Sequence, residues 1–248
     1  MLNSDECKKI EDLLNDIGKV LKDLKNQFRD NGRWIKTQFK SEADLLAERL
    51  LKDGLNKICP LIPILSEEDN KSHKFYKSDL YWMIDPIDGT ASYCNGFSGY
   101  VIQLALISKN LPIFSFIFAP ELLNMYTSQK DKGSRLNGKP ISVLKNSNNF
   151  IMTDNYPNPR GFSKLVYNKL ECSRYIESGS IGLKICLVAS GDANLFIKNV
   201  RVKDWDLAPA HLLLEESGGF LFDFHGNPIE YNNTLTKEHG IIAIDSLS

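Results

Sequence analysis

Apolar residues in the first quarter of the chain recur at steps of three and four positions. From residue 10 to residue 28 this spacing forms one apolar stripe, which predicts a long amphipathic helix with Ser4 as its N-cap. A second helix is predicted to open at Ser41 and to end at Cys59-Pro60. We therefore expect two helices before the first sheet.

Beyond residue 60 the pattern changes to short apolar runs with a period of two, which is typical of strands. Strands are predicted at 62–65, 81–84, 100–107 and 113–118. Asn137-Gly138 predicts a tight hairpin, because both residues tolerate positive φ. We expect these strands to form an antiparallel sheet with helices packed on it.

The second half of the chain alternates between strand-like and helix-like segments. Strands are predicted at 151–153, 194–197, 220–222 and 241–244, and helices at 181–189 and 206–216. This alternation predicts a second α/β layer. We therefore expect an α+β or α/β fold with two subdomains, residues 1–145 and 146–248, that share one active site at their junction.

Composition narrows the class of protein. Of the 248 residues, 42% are hydrophobic and 25% charged, as in ordinary globular domains. The 30 basic and 31 acidic residues nearly cancel, so neither nucleic acid nor a membrane surface is an expected partner. The most apolar region, residues 100–119, is interrupted by Gln103, Lys109 and Pro112, which argues against a membrane span. The 5 cysteines are irregularly spaced, which fits a reducing, cytoplasmic location rather than a disulfide framework.

Acidic residues cluster at three points where a predicted strand ends or a predicted helix begins. They are residues 67–69, the pair Asp85 and Asp88, and the pair Asp204 and Asp206. Carboxylates held close together repel one another, and burial strengthens the repulsion, so a divalent cation such as Mg²⁺ is the expected partner. The 4 histidines form no spaced pair, which argues against a zinc site.

Each cluster also has a purely structural interpretation. The sequence at 85–89 suits a turn, residues 67–69 suit a solvated loop, and Asp206 suits the first turn of a helix. Asp44 completes a capping box with Ser41. The combination of the clusters, rather than any one of them, favours metal binding.

Gly89-Thr90, directly after the carboxylate pair, could hold a phosphate oxygen on its backbone N–H groups. Metals beside an anion site indicate phosphoryl chemistry. In this context residues 85–90, D-P-I-D-G-T, resemble the signature of the inositol monophosphatase superfamily of Mg²⁺-dependent phosphomonoesterases. Further segments resemble other motifs of that family in the same order: S-E-A-D at 41–44, S-E-E at 66–68, L-N-G-K-P-I at 136–141, W-D-L-A-P-A at 205–210 and G-G at 218–219.

The resemblance implies a layered αβαβα sandwich and hydrolysis of a phosphate ester by a metal-activated water. It implies two Mg²⁺ ions, with a third in doubt because the loop between Lys36 and Asp44 is short. It implies that the metal ligands are Glu67, Asp85, the Ile87 carbonyl, Asp88 and Asp206. It gives the orientation and deprotonation of the water to Thr90, held by Asp44, beside Glu67. It gives substrate contacts to Gly89, Thr90, Gly179 and Ser180.

Two segments bear on the substrate. Inositol monophosphatases carry a glutamate where this chain has Asn199, which weakens the inositol interpretation. Residues 183–189, L-K-I-C-L-V-A, resemble a motif of bacterial 3'(2'),5'-bisphosphate nucleotidases. Lys184, with Arg201 or Lys203, would then hold the second phosphate of adenosine 3',5'-bisphosphate; alternatively, Lys184 is a solvated helix residue.

The leading interpretation is a Mg²⁺-dependent phosphatase of a small phosphorylated metabolite. Among substrates, adenosine 3',5'-bisphosphate ranks ahead of inositol 1-phosphate and fructose 1,6-bisphosphate. A regulator of the same fold that acts through a protein partner stays open. So does a calcium-binding structural protein, although no EF-hand spacing occurs. The chain is expected to be a monomer or a homodimer.

Overall fold

The computed structural model describes residues 1–28, 33–35, 38–144, 150–231 and 234–246, with the backbone alone for 26–28, 33–35 and 38–40. The helices are α1 (Ser4–Phe28), α2 (Glu42–Ile58), α3 (Thr90–Cys94), α4 (Gly161–Lys169), α5 (Ile181–Ala189) and α6 (Asp204–Glu216), and Ser72–Lys77 is a 3₁₀ helix. None of the described helices is both long and apolar enough to cross a membrane.

The strands fall into an early and a late group. The early strands are β1 (Arg33–Ile35), β2 (Gln38–Lys40), β3 (Ile64–Ser66), β4 (Leu80–Asp88), β5 (Val101–Ser108), β6 (Leu111–Ala119), β7 (Asn124–Gln129), β8 (Gly133–Leu136) and β9 (Lys139–Ile141). The late strands are β10 (Ile151–Asp154), β11 (Arg174–Glu177), β12 (Leu195–Lys198), β13 (Val202–Lys203), β14 (Phe220–Phe222), β15 (Thr236–Lys237) and β16 (Ile241–Ile244).

The two N-terminal helices are capped differently from each other. Asn3, not Ser4, caps α1: its Oδ1 accepts the Glu6 N–H at 2.9 Å, and Glu6 Oε2 accepts the Asn3 N–H at 2.8 Å. The prediction of Ser4 is wrong because this reciprocal capping box forms one residue earlier. Ser41 caps α2 as predicted, with its side chain accepting the Ala43 N–H.

The first sheet has seven strands in the order β3-β4-β5-β6-β7-β8-β9. Its neighbours pair antiparallel except β3 and β4, which are parallel. The prediction of an antiparallel sheet is wrong for this pair, because the segment with the 3₁₀ helix at Ser72–Lys77 carries the chain back between them. Asn137 and Gly138, at φ 49° and 78°, form the predicted tight turn between β8 and β9.

Alternate residues of the first sheet pack into two different cores, as the period of a strand requires. On β4, Trp82 and Ile84 belong to the core shared with α1 and α2, whereas Tyr81 and Met83 belong to the core shared with α5 and α6. The N-terminal helix pair therefore covers one face of the sheet, and the second half of the chain covers the other.

The second sheet has five strands in the order β11-β10-β12-β16-β14. Strand β10 pairs parallel with β11 and β12, whereas β16 pairs antiparallel with β12 and β14. Phe196 of β12 packs in the core with α5 and α6, while Leu195 and Ile197 pack with Val166 of α4. The layers are therefore α1/α2, first sheet, α5/α6, second sheet and α4, which confirms the predicted αβαβα sandwich.

Some of the predicted organisation lies outside the described residues, and some elements were not predicted. The boundary at residues 145/146 and Lys36 lie outside the described residues; β1 and β2 pair on either side of residues 36–37. The first sheet lies within residues 64–141 and the second within 151–244, so each belongs to one predicted subdomain. Helix α4 and strand β11 were not predicted, because their segment is largely exposed and lacks a clear apolar period.

Candidate active site

Three carboxylates from different elements meet where the first sheet adjoins α6. Glu67 follows β3, Asp85 lies in β4, and Asp206 lies in the first turn of α6. The Glu67 N–H donates to the Ile84 carbonyl at 3.3 Å, which keeps the end of β3 beside β4. The Lys203 N–H donates to Asp206 Oδ2 at 3.1 Å and orients that side chain. One carboxylate oxygen from each of the three residues lies within 4.8 Å of the other two.

The electrostatics of this cluster suit a divalent cation. Asp85 is 1% exposed. Its Oδ1 accepts the Ile87 N–H at 3.1 Å, whereas its buried Oδ2 has no hydrogen-bonding partner among the described residues. Burial, together with neighbouring carboxylates, raises the pKa of Asp85 and of Asp206 well above the ordinary value. An all-oxygen donor set with an unpartnered buried oxygen fits Mg²⁺, so the acidic cluster can hold a metal ion.

Asp88 lies at the edge of this cluster and is held by the start of α5. Its Oδ2 accepts the Gly182 N–H at 2.6 Å and its Oδ1 accepts the Ile181 N–H at 3.3 Å. These are helix N–H groups that have no partner within the helix. Burial raises the pKa of Asp88, and the Gly182 N–H opposes that rise. Asp88 is not part of the group whose oxygens lie within 4.8 Å, so its role as a metal ligand stays a prediction.

Asp44 serves both as a helix cap and as a partner of Thr90. Its Oδ2 accepts the Ser41 N–H and the Ser41 hydroxyl, each at 2.8 Å, which is the capping box expected from the sequence. Its Oδ1 accepts the Thr90 hydroxyl at 2.7 Å. Burial raises the pKa of Asp44 to about 6. The structural and the catalytic interpretations of this aspartate are therefore compatible, because each uses a different oxygen.

The two predicted substrate segments touch across the junction. Gly89 has φ +93°, and a Cβ on it would lie 3.2 Å from the Gly99 carbonyl oxygen and from the Ser180 Cβ. A Cβ on Gly179 would lie 2.4 Å from the same carbonyl oxygen. The Ser180 N–H donates to this oxygen at 2.7 Å, and Ser180 Oγ caps α5 by accepting the Leu183 N–H. Only glycine at 89 and 179 allows so close an approach.

Lys184 lies inside the protein. It is 0% exposed, and its Nζ donates to Asn155 Oδ1 and to the Gly179 carbonyl at 2.9 Å, with the Ser178 carbonyl at 3.5 Å. Burial lowers its pKa to about 7. The prediction of a solvated helix residue is therefore wrong. The ammonium bonds the chain's own oxygens and supports the Ser178-Gly179 segment. A contact between Lys184 and a second phosphate of the substrate stays a prediction.

Gln103 is a buried residue of the site that the sequence interpretation missed. It is paired with Asp85 in the register of β4 and β5 and is 0% exposed. Its Nε2 lies 3.3 Å from Asp88 Oδ2 and 3.1 Å from the Trp205 carbonyl. A polar residue in the middle of an apolar run signals a buried group that needs partners, but the run itself does not say which ones.

The chain matches the model of the Inositol monophosphatase family over residues 8–245. It is 31% identical to the 3'(2'),5'-bisphosphate nucleotidase CysQ of Haemophilus influenzae, over 83% of this chain and 80% of that protein. It is also 31% identical to the Nus factor SuhB of Xylella fastidiosa, over 76% of this chain and 70% of that protein. The solved structure of the Thermotoga maritima IMPase superposes with a TM-score of 0.84 at 25% identity, over 98% of this chain and 93% of that one. With an acidic cluster where the signature motifs meet, this chain belongs to the inositol monophosphatase family of phosphatases.

Proposed function

We propose that the chain is a Mg²⁺-dependent phosphomonoesterase that hydrolyses a nucleoside 3'(2'),5'-bisphosphate, with adenosine 3',5'-bisphosphate giving AMP and phosphate. The observation that carries the phosphatase activity is the close group of Glu67, Asp85 and Asp206 oxygens at the junction. The substrate class is supported by the similarity to the bisphosphate nucleotidase of Haemophilus influenzae.

The metal ligands in this proposal come from both halves of the chain. Glu67 and Asp85 would hold one Mg²⁺ together with the Ile87 carbonyl, and Asp85, Asp88 and Asp206 would hold a second. When bound, Mg²⁺ would supply Lewis-acid catalysis and neutralise charge on the phosphate. The unpartnered Oδ2 of Asp85 supports its place in both ligand sets, because a buried carboxylate oxygen without a donor is costly unless a cation binds it.

Thr90 and Asp44 would orient the attacking water. The Thr90 hydroxyl has one proton, and Asp44 Oδ1 at 2.7 Å is a closer acceptor than the Ile87 carbonyl at 3.1 Å. The lone pairs of Thr90 Oγ1 are therefore free to accept a hydrogen bond from water. Ser41 holds the other oxygen of Asp44, so the acceptor cannot rotate away. Glu67, beside this pair, would share the removal of the proton.

Backbone groups would take the rest of the substrate. The N–H groups of Gly89 and Thr90 would hold phosphate oxygens, and the Gly179-Ser180 segment would face the sugar. The contact of these two segments through the Gly99 carbonyl supports one continuous substrate site.

A second candidate is a regulator that acts through a protein partner, and the similarity to the Nus factor SuhB favours it. The two candidates differ in an observable way. A regulator needs no turnover, whereas a phosphatase must release phosphate when Mg²⁺ is present. Asp85→Asn separates them further, because it should abolish turnover and leave a surface-mediated contact intact.

The decisive experiment is phosphate release at saturating Mg²⁺ from adenosine 3',5'-bisphosphate, inositol 1-phosphate and fructose 1,6-bisphosphate, compared as kcat/KM. We expect the nucleotide to exceed the other two by at least about tenfold. Preference for another phosphate ester would contradict the substrate class and leave the phosphatase in place. Binding of Mg²⁺ without release from any of the three would contradict the enzyme and favour the regulator.

A further inference from the structure

Gln103 connects the two halves of the acidic site through one amide group. It lies in the middle of β5, paired with Asp85, and is fully buried. Its Nε2 is within hydrogen-bonding distance of Asp88 Oδ2 (3.3 Å) and of the Trp205 carbonyl (3.1 Å). The two amide protons therefore reach a carboxylate of the first sheet and the backbone of α6, one residue before Asp206.

The Trp205 carbonyl needs this outside donor because of Pro209. In an α-helix the carbonyl of residue 205 accepts the N–H of residue 209. Residue 209 is a proline inside α6, and proline has no N–H. The helix thus leaves the Trp205 carbonyl without its usual donor, and the Gln103 amide takes that place.

The orientation of the amide follows from its surroundings. If its oxygen faced Asp88 and the Trp205 carbonyl, three acceptors would meet with no proton between them. The oxygen instead points toward α5, where a Cβ on Gly182 would lie 2.2 Å from it. It has no hydrogen-bonding partner in the described part of the chain. Such a position tolerates neither a reversed amide nor a side chain at residue 182.

We propose that Gln103 is a positioning residue of the metal site. It fixes Asp88 and the first turn of α6 to the same strand that is paired with Asp85, and so sets the distance between the carboxylates of the two halves. This inference rests on the proposed function of the cluster as a metal site. It predicts that loss of the amide raises the Mg²⁺ dissociation constant more than does another substitution that costs comparable stability.

The chain contains a matched control. Ser115 of β6 donates to the Pro209 carbonyl at 2.6 Å, so it also joins the first sheet to the backbone of α6. This bond lies one helix turn beyond Trp205. Its Oγ is bonded to no carboxylate of the acidic cluster in the described structure. Loss of the Ser115 hydroxyl therefore tests the sheet-to-helix attachment alone.

The test compares Gln103→Met with Ser115→Ala in the full chain. Mg²⁺ binding is measured by titration calorimetry without substrate, and stability by urea unfolding. Because losing a partner that orients a metal ligand typically weakens affinity by about 10–100-fold, we expect Gln103→Met to raise the Mg²⁺ dissociation constant at least about tenfold. Ser115→Ala should stay within about twofold while losing comparable stability. Equal Mg²⁺ affinity in the two variants would overturn the proposal.

A double variant keeps the proposal testable if Gln103→Met folds poorly. Pro209→Ala restores the N–H at 209 and hence the helix's own donor for Trp205. We expect Gln103→Met/Pro209→Ala to recover stability but to bind Mg²⁺ less tightly than Pro209→Ala alone, because Asp88 still lacks the hydrogen bond from the Gln103 amide. Equal affinity of the two would overturn the proposal. Absence of Mg²⁺ binding to the unmodified chain would instead contradict the proposed function.

Discussion

The buried ammonium of Lys184 predicts an unusual dependence of stability on pH. Lys184 is 0% exposed and bonds neutral oxygens of Asn155 and Gly179. Burial, reinforced by the charge of Lys198, lowers its pKa from 10.5 to about 7 in the folded chain. At pH values between these two pKa values, Lys184 binds a proton in the unfolded chain and not in the folded chain. Stability should therefore rise with pH in this range, and should fall as pH drops through about 7.

The size of the effect follows from the two pKa values. The slope reaches at most about 1.4 kcal/mol per pH unit for one proton. Integrating from about pH 6 to about pH 8.5, with a folded pKa of about 7, gives roughly 2 kcal/mol. For a chain of this size that corresponds to a shift of about 4–8 °C in Tm.

Lys184→Met tests this contribution, because the titrating groups that do not interact with Lys184 cancel in the difference between the two proteins. Urea unfolding of the unmodified chain and of Lys184→Met would be measured in chelator at about pH 6, 7 and 8.5. Across this pH range we expect the unfolding free energy of the unmodified chain to rise by roughly 2 kcal/mol relative to that of the variant. Lys164→Met, at an exposed position, should show no such trend. The pKa would not be lowered if the unfolding free energy of the unmodified chain minus that of Lys184→Met were independent of pH, or became more negative as pH rises.

Three further predictions concern the site itself. Asp85→Asn should abolish Mg²⁺ binding. It should also raise the stability of the metal-free chain to urea, because it removes a buried carboxylate whose pKa is raised by burial and by its acidic neighbours. Lower stability of the variant in chelator would contradict this expectation. Thr90→Ala should reduce kcat by about 100-fold or more at saturating Mg²⁺, with Thr90→Ser retaining most of the activity since it keeps the hydroxyl; equal rates for the two would argue against a role for that hydroxyl. Gly89→Ala should lose about 1–3 kcal/mol in urea unfolding. Gly96→Ala, at φ +78°, should lose less, because no atom of the described residues lies within 4 Å of a Cβ there, whereas a Cβ on Gly89 meets neighbouring atoms.

Periodicity predicted most of the elements that bury apolar surface. Helix α5 matches its predicted bounds of 181–189, and the Asn137-Gly138 turn forms as predicted, since both signals are local. The parallel pairing of β3 and β4 could not be predicted from periodicity. It depends on where the chain goes between the two strands, and an apolar run carries no information about the direction of its neighbour. Helix α4 was missed because it lies on the surface and lacks a strong apolar stripe.

The meeting of three carboxylates at the candidate site was predictable from the sequence, whereas the residues that support them were not. Glu67, Asp85 and Asp206 stand at the ends or starts of predicted elements, so their side chains could be expected to meet. Whether Lys184 is buried or exposed could not be predicted from its motif, because a lysine on a short helix can face water or the interior. Gln103 has a local signal, a polar residue in an apolar strand, but its partners lie 15 and 102 positions away. Such contacts are set by packing, which no local pattern records.

The arrangement of the acidic cluster also links metal binding to the association of the two halves. Glu67 and Asp85 belong to the first sheet, whereas Asp206 belongs to the helix layer between the sheets. Without a cation, the raised pKa values of Asp85 and Asp206 mean that bringing these carboxylates together opposes folding at neutral pH. The apolar core that the first sheet shares with α5 and α6 opposes this repulsion, together with the hydrogen bonds at Gln103, Ser115 and the Gly99 carbonyl. A cation bound by these carboxylates would reverse the sign of the interaction, since a ligand that binds the folded arrangement stabilises it by mass action. The same carboxylates that weaken the metal-free chain would thus join its two halves once a metal is bound.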